Sequence, residues 1–352
     1  MTTKRIVISV VVVAALAGLV YVQFREWRHF DWGVFWDQTA DTRKLYLLSA
    51  VGLIYATYLL RAVRWKVFLR PVCHAPARGL IAPTLIGFTG LALLGRPGEF
   101  ARPYLIARRE GLSMSSQLAV WAVERIFDIG SFTVLMTIDI FTMDFSGLPV
   151  LERYRHDFLI AGVILIALVL SLAGSAFLIR RNAAGVARFV QRVFAAWAPN
   201  LAHHAERKVF AFSEGLNTVH DFASFLQLAG LSLLIWLLIA VTYRQVMHAY
   251  PSPLRELTVP HVVLIIGFSM VGSLVQLPAI GGGMQAATIG GLNHYFGVPN
   301  EMAVSCGIML WLVCFMVVIP AGLILAHREH LSFTKMSRER ASEPEIEPSP
   351  GN

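Results

Sequence analysis

Charge is scarce in this chain of 352 residues. Only 15% of the residues are charged, whereas 56% are hydrophobic. A soluble globular domain usually carries about 25% charged residues. This shortage excludes a disordered chain, a nucleic-acid-binding domain and an ordinary cytosolic enzyme. We therefore expect an all-α integral membrane protein, whose length is used for membrane passes of roughly 20 residues each.

Cysteine is rare as well. The three cysteines, Cys73, Cys306 and Cys314, do not have the spacing of a disulfide framework or of a zinc site. The nucleotide-binding pattern G-x-x-x-x-G-K-[S/T] is also missing from the sequence. We expect no metal and no cofactor. The net charge of +8 is more typical of membrane orientation than of nucleic-acid binding.

Long apolar runs predict six transmembrane helices. They cover residues 6–22, 45–60, 116–138, 158–179, 226–243 and 302–326. The first run is interpreted as a retained anchor, with a cleaved signal peptide as the alternative. Residues 181–223 are predicted to lie on the cytoplasmic side, as an amphipathic helix on the membrane or packed on the spans. The membrane domain then covers 1–335, and the tail 336–352, rich in Glu, Pro and Ser, is expected to be disordered.

Two further apolar stretches, 80–94 and 261–277, are interrupted by glycine and proline. The first runs into Gly95-Arg96-Pro97-Gly98-Glu99 and the second into Leu277-Pro278-Ala279-Ile280-Gly281-Gly282-Gly283. At 1.5 Å per residue, 80–94 is too short to cross a hydrocarbon core of about 30 Å. We predict two re-entrant hairpins, because open backbone at that depth must be buried in protein or line a wet cavity.

The basic residues favour one orientation in the membrane. With the N-terminus inside, 20 of the 30 Lys and Arg residues are cytoplasmic, including Arg61 and Arg64 directly after the second run, and eight are outside. Both termini are then cytoplasmic, in an inner membrane. The two hairpins open to opposite sides, which is the inverted-repeat pattern of secondary transporters. We expect them to meet near the middle of the membrane and to form a polar cavity there.

The first hairpin carries a charged turn with Arg96, Glu99 and Arg102 around Gly98. An ionisable residue in a membrane costs about 2.5–3.5 kcal/mol and is a functional candidate for that reason. Arginine offers a planar fork for phosphate, while Gly98 and a following helix N-terminus would let an anion approach the backbone. The alternative is that Glu99 and an arginine only neutralise each other.

A second charged group, Glu124, Arg125 and Asp128, lies on the predicted span 116–138. The three residues share a polar stripe of about 100° on the helix, and Arg125 and Asp128 form an i,i+3 pair. Such a stripe must face the protein interior or a cavity. It is either part of a binding site or an internal salt bridge that fixes helix packing.

The turn of the second hairpin is uncharged. Gly281, Gly282, Gly283 and Gln285 could offer hydrogen bonds to a lipid headgroup, or could satisfy open backbone. With the two charged groups, they complete the predicted substrate-binding set. No catalytic residue and no metal ligand is predicted.

These motifs resemble a known family. Gly95-Arg96-x-Gly98-Glu99-x-x-Arg102, followed by Glu124-Arg125-x-x-Asp128, is similar to the signature of the lysylphosphatidylglycerol synthase transmembrane-region family, also called the flippase-like domain family. The turn from Pro278 to Gly283, with Gly297-Val298-Pro299, is similar to its second signature, although Gln285 stands where members often have Glu. The resemblance implies lipid translocation without aminoacyl transfer, because no soluble transferase domain follows.

We expect a flippase or transporter that moves an anionic or modified phospholipid, or a lipid-linked headgroup, between leaflets. Arg96, Arg102 and Arg125 would hold the phosphate, and the carboxylates would orient them or contact a cationic part of the headgroup. Two alternatives are a membrane-embedded lipid-linked transferase, with Glu99 or Glu124 as its base, and a membrane subunit that serves a separately encoded lipid synthase. The expected partners are the lipid and the membrane, with that synthase as a third partner in the subunit alternative, but no nucleic acid.

Overall fold

The computed structural model is an all-α protein, as the sequence predicts. It describes residues 31–142, 149–182, 221–273 and 281–328, with 185–186, 188 and 276–277 as isolated positions. The predicted span 6–22, most of the segment 181–223 and the tail 336–352 lie outside the described residues. The helices are α1 Trp32–Ala40, α2 Lys44–Leu69, α3 Ala77–Leu94, α4 Ala101–Glu110, α5 Met114–Thr142, α6 Pro149–Arg153, α7 Arg155–Arg181, α8 Phe222–His248, α9 Val259–Gly272, α10 Gly283–Phe296 and α11 Asn300–Trp311.

Within the described residues, four helices are long and apolar enough to cross a membrane. They are α2, α3, α8 and the segment Asn300–Arg328, in which α11 continues through a π-helical turn at Leu312–Met316. The predicted spans 116–138 and 158–179 lie within the long helices α5 and α7.

The expectation that residues 80–94 are too short to cross needs correction. Helix α3 starts earlier, at Ala77, and its 18 residues reach the length of a span.

Helix α2 extends well beyond the predicted span 45–60. It continues to Leu69 and buries Arg61 and Arg64, which the sequence analysis placed among the cytoplasmic flanking charges. The helix can continue because both guanidinium groups find carboxylates on α5. Helix α8 packs along α2, and α5 packs against α7 and α8, so the charged stretch of α2 is enclosed by helices.

The first predicted hairpin is a pair of antiparallel helices. Helix α3 ends at Gly95, a 3-10 turn covers Arg96–Phe100, and α4 returns along α3. Gly95 has φ +69°, a conformation that favours glycine. A Cβ on Gly98 would collide with the carbonyl group of Gly90, so the two arms meet backbone to backbone.

The second predicted hairpin has the same construction. Helices α9 and α10 pack against each other, and a Cβ on Gly272 would collide with the carbonyl of Gly283. Between them, Gln276–Leu277 (β1) pairs antiparallel with Gly281–Gly282 (β2). Residues 278–280 at the tip lie outside the described residues.

Candidate functional site

A buried ion-pair network joins α2, α4 and α5, and Glu124 is at its centre. Glu124 is fully buried. Its carboxylate accepts a hydrogen bond from Arg64 Nη2 at 2.6 Å and two from Arg102, the one from Nη1 at 3.2 Å. The network thereby ties the second arm of the first hairpin to two long helices. Glu124 is positioned to hold these arginines in fixed orientations.

Asp128, one turn further along α5, is the second carboxylate of the network. It accepts a hydrogen bond from Arg64 Nη1 at 2.6 Å and lies 3.0 Å from Arg125 Nη2. Arg61 is further away, with Nη1 at 3.6 Å from Asp128 Oδ2. The pair of Arg125 and Asp128 at i,i+3 is therefore present in the structure. It belongs to a larger network than the sequence pattern indicated.

Aromatic rings enclose three of the arginines. The Cζ atom of Arg102 lies 4.8 Å from the ring centroid of Trp65 and 5.5 Å from that of Phe88. Arg61 lies 5.0 Å from Phe88 on α3, and Arg125 lies 5.9 Å from Trp121. Cation–π contacts stabilise guanidinium groups that have little water around them. The rings also restrict the directions from which a ligand can approach.

Positive charge exceeds negative charge in the network. Four guanidinium groups face the carboxylates of Glu124 and Asp128, and a third carboxylate, Glu99, lines the adjoining cavity with Arg125, which leaves one positive charge in excess. Burying an unbalanced charge is costly unless a counter-ion is available. The site is therefore suited to an anion.

The network opens to a cavity beside the turn of the first hairpin. This cavity has a volume of about 450 Å³, and both Glu99 and Arg125 line it, together with Trp121. A small extension of it reaches Arg102. The side chain of Arg125 is 35% exposed, whereas Arg64 is fully buried. Arg125 is thus the arginine that a ligand in this cavity can reach directly, and Arg102 borders only the small adjoining space of about 20 Å³.

A second cavity, of about 160 Å³, lies between the two hairpins. Phe88 lines it from the first hairpin, and Met284 lines it from the second. The sequence analysis expected a polar cavity at this place. The described lining is mostly apolar, with Arg61 as its charged residue, so that expectation needs correction.

The other predicted site residues have mainly backbone roles in the structure. Arg96 begins the 3-10 turn, and its side chain lies outside the described part of the chain. Gly98 faces the backbone of α3, so helix packing accounts for this glycine without a ligand. In the second hairpin, Gly282 has φ +105° and its N–H donates to Gln285 Oε1 at 2.7 Å. Gln285 therefore satisfies open backbone, which is one of the two roles considered for it.

Sequence reasoning missed several members of the site. Arg61 and Arg64 were assigned to the cytoplasmic flank, because basic residues after an apolar run usually mark its end. Their spacing of three on a helix was the available signal. Ser232, which accepts a hydrogen bond from Arg64 at 2.7 Å, and Phe88 had no signal of their own in the sequence.

Comparison with known proteins identifies the family of the chain. The family model of the lysylphosphatidylglycerol synthase TM region matches residues 6–322. No curated protein and no solved structure matches the chain. Since the match covers most of the sequence, the chain belongs to this family, and the resemblance noted in its motifs is confirmed.

Proposed function

We propose that this member of the lysylphosphatidylglycerol synthase transmembrane-region family moves the headgroup of an anionic or modified phospholipid, or of a related lipid-linked compound, between membrane leaflets. The observation that carries the proposal is the surplus of buried arginine over carboxylate next to an open cavity. Among protein side chains, arginine is the best suited to bidentate contact with phosphate. The lipid leaves chemically unchanged, so the protein acts as a transporter and not as an enzyme.

The two fully engaged carboxylates act as orienting groups in this proposal. Glu124 and Asp128 fix Arg64 and Arg102 at the back of the site, and Arg125 and Arg102 present their remaining N–H groups to the cavity. Glu99 lines the same cavity and could contact a cationic part of a modified headgroup. The site thus offers donors for a phosphate and one carboxylate near its mouth.

The two hairpins supply the framework for movement in this proposal. They enter the membrane from opposite sides, in the inner membrane of the cell, with both chain termini in the cytoplasm. Small rocking motions of one hairpin against the other would expose the site to each leaflet in turn, while the acyl chains remain in lipid.

The test is leaflet transfer of fluorescent phosphatidylglycerol in proteoliposomes by the wild type and by Arg125→Lys. Lysine retains the charge but not the planar fork, and Arg64 still holds Asp128, so folding should be normal. We expect at least about a tenfold lower transfer rate for the variant, because a charge-assisted hydrogen bond contributes about 1.5–3 kcal/mol. Arg70→Gln, at an exposed position on the end of α2, is the control and should transfer normally.

The same experiment separates the alternatives. Covalent change of the lipid by the purified protein would support a transferase. Transfer that appears only after a lipid synthase is added would support a subunit role. Normal transfer by Arg125→Lys would contradict a phosphate contact at this residue.

A further inference from the structure

The cavity between the hairpins contains an incompletely paired arginine. The side chain of Arg61 is 9% exposed, and its Nε has no hydrogen-bond partner among the described residues. Its contact with Asp128 at 3.6 Å is longer than a normal hydrogen bond. Arg64, one turn away, makes two bonds of 2.6 Å to carboxylates. Arg61 therefore retains donor capacity on the side that lines the cavity.

Phe88 separates this cavity from the extension of the cavity at Glu99. Its ring lines both spaces. The guanidinium of Arg61 lies 5.0 Å from the ring centroid, and that of Arg102 lies 5.5 Å from it. Two arginines in two cavities are thus placed around one aromatic side chain.

The remaining lining of the cavity fits a lipid. Apolar side chains from α2, α8, α9 and the π-helical turn surround it, together with a few hydroxyl groups. Ile54, Trp236, Ile239, Ile266 and Phe315 are among the apolar residues of this lining. Since this described lining contains no carboxylate, a cationic group would find no counter-charge in it.

We propose that this cavity is a second phosphate-binding position for the lipid, with Arg61 as its donor. The inference rests on the function proposed above and adds a site that its predicted residues do not include. The phosphodiester is recognised by Arg61, and the apolar walls contact the glycerol and the upper acyl chains. The headgroup passes Phe88 between the two positions.

The experiment is native mass spectrometry of the full chain in detergent, titrated with short-chain phosphatidylglycerol. We expect two bound lipids per wild-type chain. Arg61→Gln should weaken one of the two by about tenfold, because one charge-assisted contact is lost. Arg70→Gln, the same substitution at the exposed residue that follows α2, should bind two lipids normally.

A second variant covers the case in which Arg61→Gln does not fold. Ile239→Trp adds bulk to the cavity wall and keeps the pair of Arg61 and Asp128. It should also lose one lipid. Two lipids bound with wild-type affinity in Ile239→Trp and in folded Arg61→Gln would overturn the proposal.

Two further comparisons identify the ligand and separate the proposals. Inorganic phosphate should not displace the lipid at equal concentration; full displacement would assign the cavity to free phosphate and overturn the lipid proposal. Binding at Arg61 without leaflet transfer in the wild type would refute transport and leave the site intact. If Arg125→Lys slows leaflet transfer while Arg61→Gln and Ile239→Trp bind two lipids normally, only the second site is refuted.

Discussion

At the scale of single residues, Glu124 explains most of the site. One carboxylate on α5 accepts hydrogen bonds from Arg64 on α2 and Arg102 on α4, and lies 3.5 Å from Arg125. It therefore neutralises charge from three directions in a place that water does not reach. Removing one partner of a buried pair usually costs about 3–5 kcal/mol, because the other partner remains buried and unpaired.

We predict that Glu124→Gln lowers the free energy of unfolding by several kcal/mol, since the amide leaves Arg102 and Arg64 without their full counter-charge. Thermal melting in detergent measures the effect. Glu152→Gln, at an exposed position, is the matched control and should melt like the wild type. An unchanged melting temperature for Glu124→Gln would show that the network does not stabilise the fold.

The sequence predicted part of this site, and physical reasons limited the rest. Glu124, Arg125 and Asp128 could be grouped because helical periodicity places them on one stripe. Arg61 and Arg64 could not be assigned to the same site, because a basic residue after an apolar run looks the same whether it reaches water or a carboxylate on another helix. Only the ion pairs that join α2 to α5 distinguish the two cases.

At the scale of elements, the hairpins were easier to predict than the helix ends. Glycine and proline inside an apolar run marked both turns, and the structure has a helix on each side of each turn. The sequence predicts that the second span ends at residue 60, whereas α2 continues to Leu69. Its last turns carry charge and are still enclosed by protein, because Arg64 forms a buried ion pair with Glu124. Whether the hairpins return to the same membrane side remains a prediction.

We predict that Gly98→Ala destabilises the first hairpin by about 1–3 kcal/mol, because the added methyl group collides with the Gly90 carbonyl and overpacked sites cost about this much. The control is Gly52→Ala on α2, where a Cβ meets nothing within 4 Å. Alanine is the better helix former, so the control should be neutral or slightly stabilising. The measurement is the melting temperature of Gly98→Ala and of Gly52→Ala. Equal melting temperatures would contradict close packing of the two arms of the hairpin.

A further prediction concerns Gln285, whose side-chain oxygen accepts a hydrogen bond from Gly282 N–H. Gln285→Glu retains this acceptor and should melt like the wild type. Gln285→Ala removes it and should cost about 1 kcal/mol, as the loss of a capping side chain usually does. If Gln285→Glu and Gln285→Ala melt alike, the contact does not support the turn.

At the scale of the whole molecule, the account depends on how the hairpins lie in the membrane. A Cβ on Gly79, near the start of α3, would lie 3.5 Å from Arg109 near the end of α4. The two arms of the first hairpin therefore begin and end on one side of the molecule. Four described helices are candidates for spans by length and composition.

We predict that single cysteines at Ala77 and Gly111 react with a membrane-impermeant maleimide only from the cytoplasm. The background lacks Cys73, Cys306 and Cys314. A cysteine at Ser252, between α8 and α9, should react only from outside and serves as the opposite-side control. Labelling of Ala77 and Gly111 from opposite faces would make the segment between them a true span and would remove the inverted repeat.

The central claim is that an excess of buried arginine guides an anionic headgroup across the membrane. The most direct measurement is the transfer rate of phosphatidylglycerol and of phosphatidylcholine, with identical acyl chains, in proteoliposomes that contain the wild-type protein. The account predicts faster transfer of the anionic lipid, because the arginines of the site exceed its carboxylates and little water screens them. Equal rates for the two lipids, or no transfer above that of protein-free liposomes, would contradict it.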